Sequence, residues 1–124
     1  MESILTGFPG VELAAVYGVV VPNMPGKAGM AAIERRRGEA WDWKGFVRHV
    51  NDNLPPYAIP RFVRFPRRLE LTDTHKLKKQ LLKEEAFDPE KVDGPHYYRD
   101  FATRSYLELD AEAFELINRN EITL

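Results

Sequence analysis

From Val11 to Val21 the chain reads Val-Glu-Leu-Ala-Ala-Val-Tyr-Gly-Val-Val-Val, almost continuously apolar and rich in β-branched residues. Such a run predicts a strand buried on both faces, closed by Pro22. Asn23-Met24-Pro25-Gly26-Lys27 reads as a turn by its Pro-Gly pair. Ala28 to Arg35 then predicts a second strand, antiparallel to the first, and Arg35-Arg36-Arg37-Gly38 ends it.

A helical period follows. Trp43, Phe46, Val47, Val50 and Leu54 make one apolar stripe. Asp42 is placed to cap this helix, Trp41 to pack on Phe46 as a staple, and Pro55-Pro56 to stop it. Trp41, Trp43 and Tyr57 are assigned to packing, and His49 to the polar side of the helix. Arg61-Phe62-Val63-Arg64-Phe65 alternates imperfectly and predicts a third, more exposed strand ending at Pro66. Leu69 to Leu71 adds at most a short strand. Leu77, Leu81, Leu82 and Ala86 predict another helix, stopped before Asp88-Pro89. Asp110 caps a last one that carries Phe114 and Ile117. At the other end, Glu2 to Leu5 reads as the last turn of a helix stopped by Gly7, as expected of a piece of a longer chain. These elements predict an α+β fold with a small antiparallel sheet of about three strands flanked by helices. The aromatics of the C-terminal extension (Tyr97, Tyr98, Phe101, Tyr106) argue against disorder and for a tail that wraps back on the core.

With 124 residues, 44% hydrophobic and 30% charged, the chain suits one soluble globular domain. It has no cysteine, hence no disulfide framework and no thiolate metal site. Its three histidines (His49, His75, His96) lack ligand-like spacing, so no catalytic metal site is expected. The net charge of -1 hides an uneven distribution. Residues 1–60 sum to zero, residues 61–83 carry +6 and residues 84–124 carry -7. A basic middle can serve phosphates, or be a solvated face that the acidic tail partly neutralises. A nucleic-acid role is disfavoured, because the overall charge is slightly negative and the aromatics are not interleaved with the basic cluster in a stacking pattern.

Within that middle, Thr72-Asp73-Thr74-His75-Lys76 forms a short polar stretch before an apolar-periodic helix. A lysine on such a loop can be carried to a neighbouring site, where it binds a phosphate or carboxylate oxygen as a mobile point charge. Read alone, it is equally a surface lysine like Lys78 and Lys79.

Three segments in register change that balance: Val16–Pro22 with Gly26–Ile33, Leu54–Phe62, and Leu71–Lys79. Together they resemble the C-terminal domain of adenylate-forming acyl-CoA synthetases, in the fatty acid transport protein and very-long-chain acyl-CoA synthetase branch. Phe87-Asp88-Pro89, Tyr97-Tyr98 and Tyr106–Asp110 also resemble that branch, so the likeness covers nearly the whole chain. It implies a two-step ligase that joins a fatty acid to AMP from ATP, with Mg, and then to coenzyme A (CoA). Residues 1–88 would be the lid domain and residues 89–124 an extension packing on it. The lid's partner would be an N-terminal adenylation domain of the same polypeptide, which would hold the fatty acid. The resemblance implies a cytoplasmic protein, peripheral at most to the membrane, and no tight binding of ATP or CoA by this chain alone.

Lys76 falls where the family's adenylation lysine falls. Thr72, Asp73, Thr74 and His75 would form its loop. Where the related branch reads Thr-Gly-Thr-Phe-Lys, this chain has Asp73 for the glycine and His75 for the aromatic. Asp73 is placed to compete with substrate anions for Lys76, and loss of glycine stiffens the loop. The turn Gly26-Lys27-Ala28-Gly29 falls near the face used in the CoA step, so Gly26, Lys27 and Gly29 are candidate phosphate or pantetheine contacts. Arg61 is a further candidate, toward a phosphate or the other domain. Plain readings stand beside these: a hairpin turn with an exposed lysine, and a strand-edge arginine. The rival function is a non-catalytic module that binds a phosphate-bearing partner or an anionic membrane through residues 61–83.

Overall fold

The computed structural model describes residues 2–22, 26–38, 40–55, 58–66, 69, 80–92, 95–100, 103, 105–119 and 121. Helix α1 (Glu2–Thr6) leads into β1 (Val11–Val20), which pairs antiparallel with β2 (Lys27–Arg35). Helix α2 (Trp43–Asn53) crosses to β3 (Phe62–Arg64). Then come α3 (Gln80–Glu85), β4 (His96–Arg99), β5 (Tyr106–Glu108) and α4 (Ala111–Asn118).

The strands form one sheet in the order β1-β2-β3-β4-β5. This corrects the three-stranded antiparallel expectation in two ways. Strand β3 runs parallel to β2, because α2 returns the chain to the same end of the sheet before β3 begins. The extension supplies two further strands, with β4 antiparallel to β3 and β5 antiparallel to β4. The α+β class itself stands, as a mixed sheet with helices on both faces.

Both faces are covered, which accounts for the unbroken apolar run of β1. Ala15, Tyr17, Val19, Ala28, Met30, Ala32 and Phe62 lie on one face, under Leu82 and Phe87 and under Leu109, Ala113 and Ile117 around α4. Val11, Ala14, Ala31, Ile33 and Val63 lie on the other, under Leu5 of α1 and Phe46, Val50 and Leu54 around α2. A register shift between Val11 and Leu13 breaks the alternation, so that Val11 and Ala14 share a face.

Helix α2 starts and stops where the pattern predicts. Asp42 accepts a hydrogen bond from Gly45 N at 3.1 Å, and Trp41 packs on Phe46 with ring centroids 5.1 Å apart. Asp110 caps α4 in the same way, accepting from Ala113 N at 2.8 Å. His49 is a correction. It is half-buried rather than on the polar side, with Nε2 2.6 Å from the Ile4 carbonyl, where it ties α2 to α1. The exposed third strand is another: Phe62, Val63 and Arg64 are all buried. Of the short strand at Leu69–Leu71, Leu69 is buried coil, and Glu70 and Leu71 lie outside the described residues, as does Tyr57.

Candidate functional site

One end of the β1–β2 hairpin is open on the α2 face. Gly18 and Gly29 stand opposite each other in the register, and Val20 is 68% exposed. With no Cβ on either strand there, neighbouring groups approach the backbone closely, Lys27 over Gly18 and Pro60 against Gly29. Lys27 begins β2 rather than sitting in a turn, and Gly26 has left-handed backbone with φ +72. The aliphatic stem of Lys27 lies across Gly18: a Cβ added at Gly18 would come within 3.0 Å of Lys27 Cδ. The stem is thus packed while the ammonium faces solvent.

Beside this patch runs the Pro60–Arg61 segment. Arg61 N donates to Gly29 O at 2.8 Å, and Arg99 N donates to Arg61 O at 2.8 Å. Tyr106 Oη donates to the Pro60 carbonyl at 2.6 Å. The segment is therefore held from β2 on one side and from the extension on the other. Gly26, Lys27 and Gly29 thus follow one another along the start of β2, with half-buried Arg61 bonded through its N–H to Gly29, so a point charge and a guanidinium fork belong to adjoining segments. That suits an elongated ligand bearing phosphate.

Lys76 and its loop residues Thr72, Asp73, Thr74 and His75 lie outside the described residues. The anchors on either side of them do not. Buried Leu69 donates its N–H to Glu34 Oε1 on β2 at 2.7 Å. After the loop, α3 is fastened by Glu85, whose Oε1 is 2.9 Å from Arg64 Nη1 on β3. The Arg64 side chain is only 5% exposed. Leu69 and Glu85, on either side of that stretch in sequence, are thus each bonded to a strand of the sheet.

Residues 1–76 match the AMP-binding enzyme C-terminal domain family. The chain belongs to that family. As an AMP-binding C-terminal domain it is 40% identical over 114 residues, 92% of its length, to the long-chain fatty acid transport protein 6 of Mus musculus. It is 42% identical over 102 residues, 82% of its length, to the human long-chain fatty acid transport protein 3. It spans only 18% and 15% of those two relatives. Among solved structures, the Mycobacterium tuberculosis fatty acyl CoA synthetase matches with a TM-score of 0.56 and 28% identity, over 68% of this chain and 16% of that one. Apo MatB from Rhodopseudomonas palustris matches with a TM-score of 0.59 and 28% identity, over 67% of this chain and 16% of that one.

In this AMP-binding C-terminal domain the anchor of α3 adjoins a tyrosine. Burial pushes the Tyr17 hydroxyl up to about 12, against the opposing pull of Arg64. Burial also raises Tyr106, against Arg99 and Arg61. Between the ordinary tyrosine range near 10 and the raised folded values, the unfolded chain ionises and the folded chain does not. Stability is thus full below pH 10 and is lost as pH rises through the folded values. Circular dichroism against pH is expected to show cooperative unfolding above about pH 10, flattened by Tyr17→Phe and Tyr106→Phe. An unchanged denaturation midpoint through that window in the parent chain would contradict this.

Residue-type reasoning missed Gly18, Arg99 and Tyr106. A glycine in the middle of a β-branched run was a signal for close approach at Gly18. Nothing in the residues around Arg99 and Tyr106 announced their partners at Pro60 and Arg61, which come from strand pairing some 40 positions away.

Proposed function

We propose that the chain is the C-terminal lid of an ATP-dependent long- or very-long-chain fatty acyl-CoA ligase, with residues 1–88 as the lid and 89–124 as its extension. Lys76 stabilises the negative charge that builds as the fatty carboxylate attacks the α-phosphate of Mg-bound ATP. Pyrophosphate leaves and the acyl-adenylate remains. The lid then turns, and the open end of the hairpin, with Gly26, Lys27, Gly29 and Arg61, faces CoA while its thiolate displaces AMP.

The observation that carries this reading is the anchoring around the lysine loop. Leu69 is fixed to Glu34 and Glu85 to Arg64, on two neighbouring strands. The segments flanking Lys76 in sequence are thus each tied to the sheet, and effective catalysis requires positioned groups. The acyl site, the nucleotide site and the fatty acid partner are assigned to an N-terminal adenylation domain of the same polypeptide. No described helix is long and apolar enough to cross a membrane. The proposed location is cytoplasmic, at most peripheral to the cytoplasmic face of the membrane.

Acyl-CoA formation tests the proposal directly. The isolated chain, given fatty acid, ATP, Mg and CoA, is expected to give no turnover. Adding the cognate N-terminal domain in the same polypeptide restores it. Robust turnover by these 124 residues alone would overturn the division of labour.

A further inference from the structure

At the opposite end of β2 from Lys27, about 26 Å along the strand, the arginines Arg35, Arg36 and Arg37 line a cavity with Gly38, Phe65, Pro66 and Pro95. Its volume is about 360 Å³. We propose that this cavity is a second anion site, built for a phosphomonoester group and separate from the face carrying Lys27 and Arg61.

The three arginines are not an undirected solvated run. The Arg35 guanidinium lies over aromatic rings, with Cζ 5.5 Å from the Phe65 centroid and 5.9 Å from that of Trp41. Such cation–π contacts favour this placement of the exposed guanidinium and reduce the freedom it loses on binding. Arg36 is steadied by Glu12, whose Oε2 is 3.2 Å from its Nε, leaving both terminal nitrogens as donors. Neither Arg35 nor Arg37 has a carboxylate partner among the described residues, and Arg37 is exposed. Glu34, the adjacent acid, already accepts from Leu69 N.

The remaining walls favour an anion by what they lack: Phe65, Pro66 and Pro95 offer no side-chain carboxylate. They are tied together, because Phe65 N donates to Pro95 O at 3.3 Å. The floor is tied as well, through Arg36 N to Gly10 O at 2.8 Å. Gly38 turns the chain with φ +81, and nothing lies within 4 Å of where its Cβ would be. The mouth is therefore open to a group the size of phosphate. The guanidinium fork matches phosphate oxygens in pairs, as an ammonium cannot.

A phosphomonoester can come free in solution or on a lipid headgroup. The complete 124-residue chain is titrated with inorganic phosphate while its backbone amide resonances are followed. In parallel it is sedimented with phosphatidylcholine vesicles with and without phosphatidic acid. Saturable shifts confined to residues 35–38 and Phe65 are expected in the phosphate arm, salt-sensitive cosedimentation in the phosphatidic acid arm, or both. Phosphate shifts without vesicle binding assign a soluble ligand, and vesicle binding without phosphate shifts assigns a headgroup. Either signal must weaken about tenfold in Arg37→Gln, the loss of one charge-assisted contact. Arg37 is exposed, so this variant tests the site without disturbing the aromatic packing behind Arg35. No signal in either arm, shifts spread equally over Lys44, Arg48 and Arg119, or an unchanged affinity in Arg37→Gln would each overturn the proposal.

Discussion

Replacing Lys76 with alanine in the full-length protein is expected to lower acyl-CoA synthesis from fatty acid, ATP and CoA by on the order of 10²-fold or more, the loss typical when one preorganised charge contact is removed. Pyrophosphate release measures it. The reason is electrostatic: a carboxylate and a polyphosphate approach each other, and each added increment of negative charge must be met inside a site with little water. Lys76→Arg is not expected to rescue it, because a planar fork has a different reach from a point charge. Asp73 bears on the size of the effect. Asp73→Gly, which restores the residue of the related branch, is predicted to raise the parent rate by removing a competing carboxylate. Pyrophosphate release that is unchanged in Lys76→Ala would contradict the assignment.

Removal of Glu85 is expected to give the largest loss of stability. Arg64 would remain in the sheet with its charge buried and its carboxylate gone. Breaking one half of a buried pair costs about 3 kcal/mol or more, somewhat less here because the Glu85 side chain is 20% exposed. Glu85→Ala is therefore predicted to lower the urea midpoint at an unchanged slope. The double variant Arg64→Met with Glu85→Leu is predicted to recover most of the loss, because it removes the charge as well as its partner. A Glu85→Ala midpoint equal to that of the parent chain would show that the pair does not hold α3. The same variant links stability to the site, since α3 carries the far anchor of the lysine loop.

What could be read from the residues depended on how local the cause was. The two-sided strand of Val11–Val20, the stripe of α2 and the caps at Asp42 and Asp110 all rest on spacings of a few residues, and the structure has them where the pattern puts them. Arg64 was misread because its polarity suggested exposure, while its partner lay 21 positions away on α3. His49 was misread for the same reason, with its acceptor at Ile4. The extra strands were missed because His96–Arg99 and Tyr106–Glu108 are short, and pairing rather than propensity decides them. Of the candidate residues, Arg61 is bonded through its N–H to Gly29 O, two positions along β2 from Lys27. This contact depends on Pro60 passing beside Gly29, which no local pattern encodes.

The central claim is that one ammonium serves the first half-reaction and not the second. The direct measurement is thioester formation by the full-length Lys76→Ala protein supplied with preformed acyl-adenylate and CoA. The account predicts a rate close to that of the parent protein, beside a collapsed adenylation rate. Equal loss in both half-reactions would contradict it.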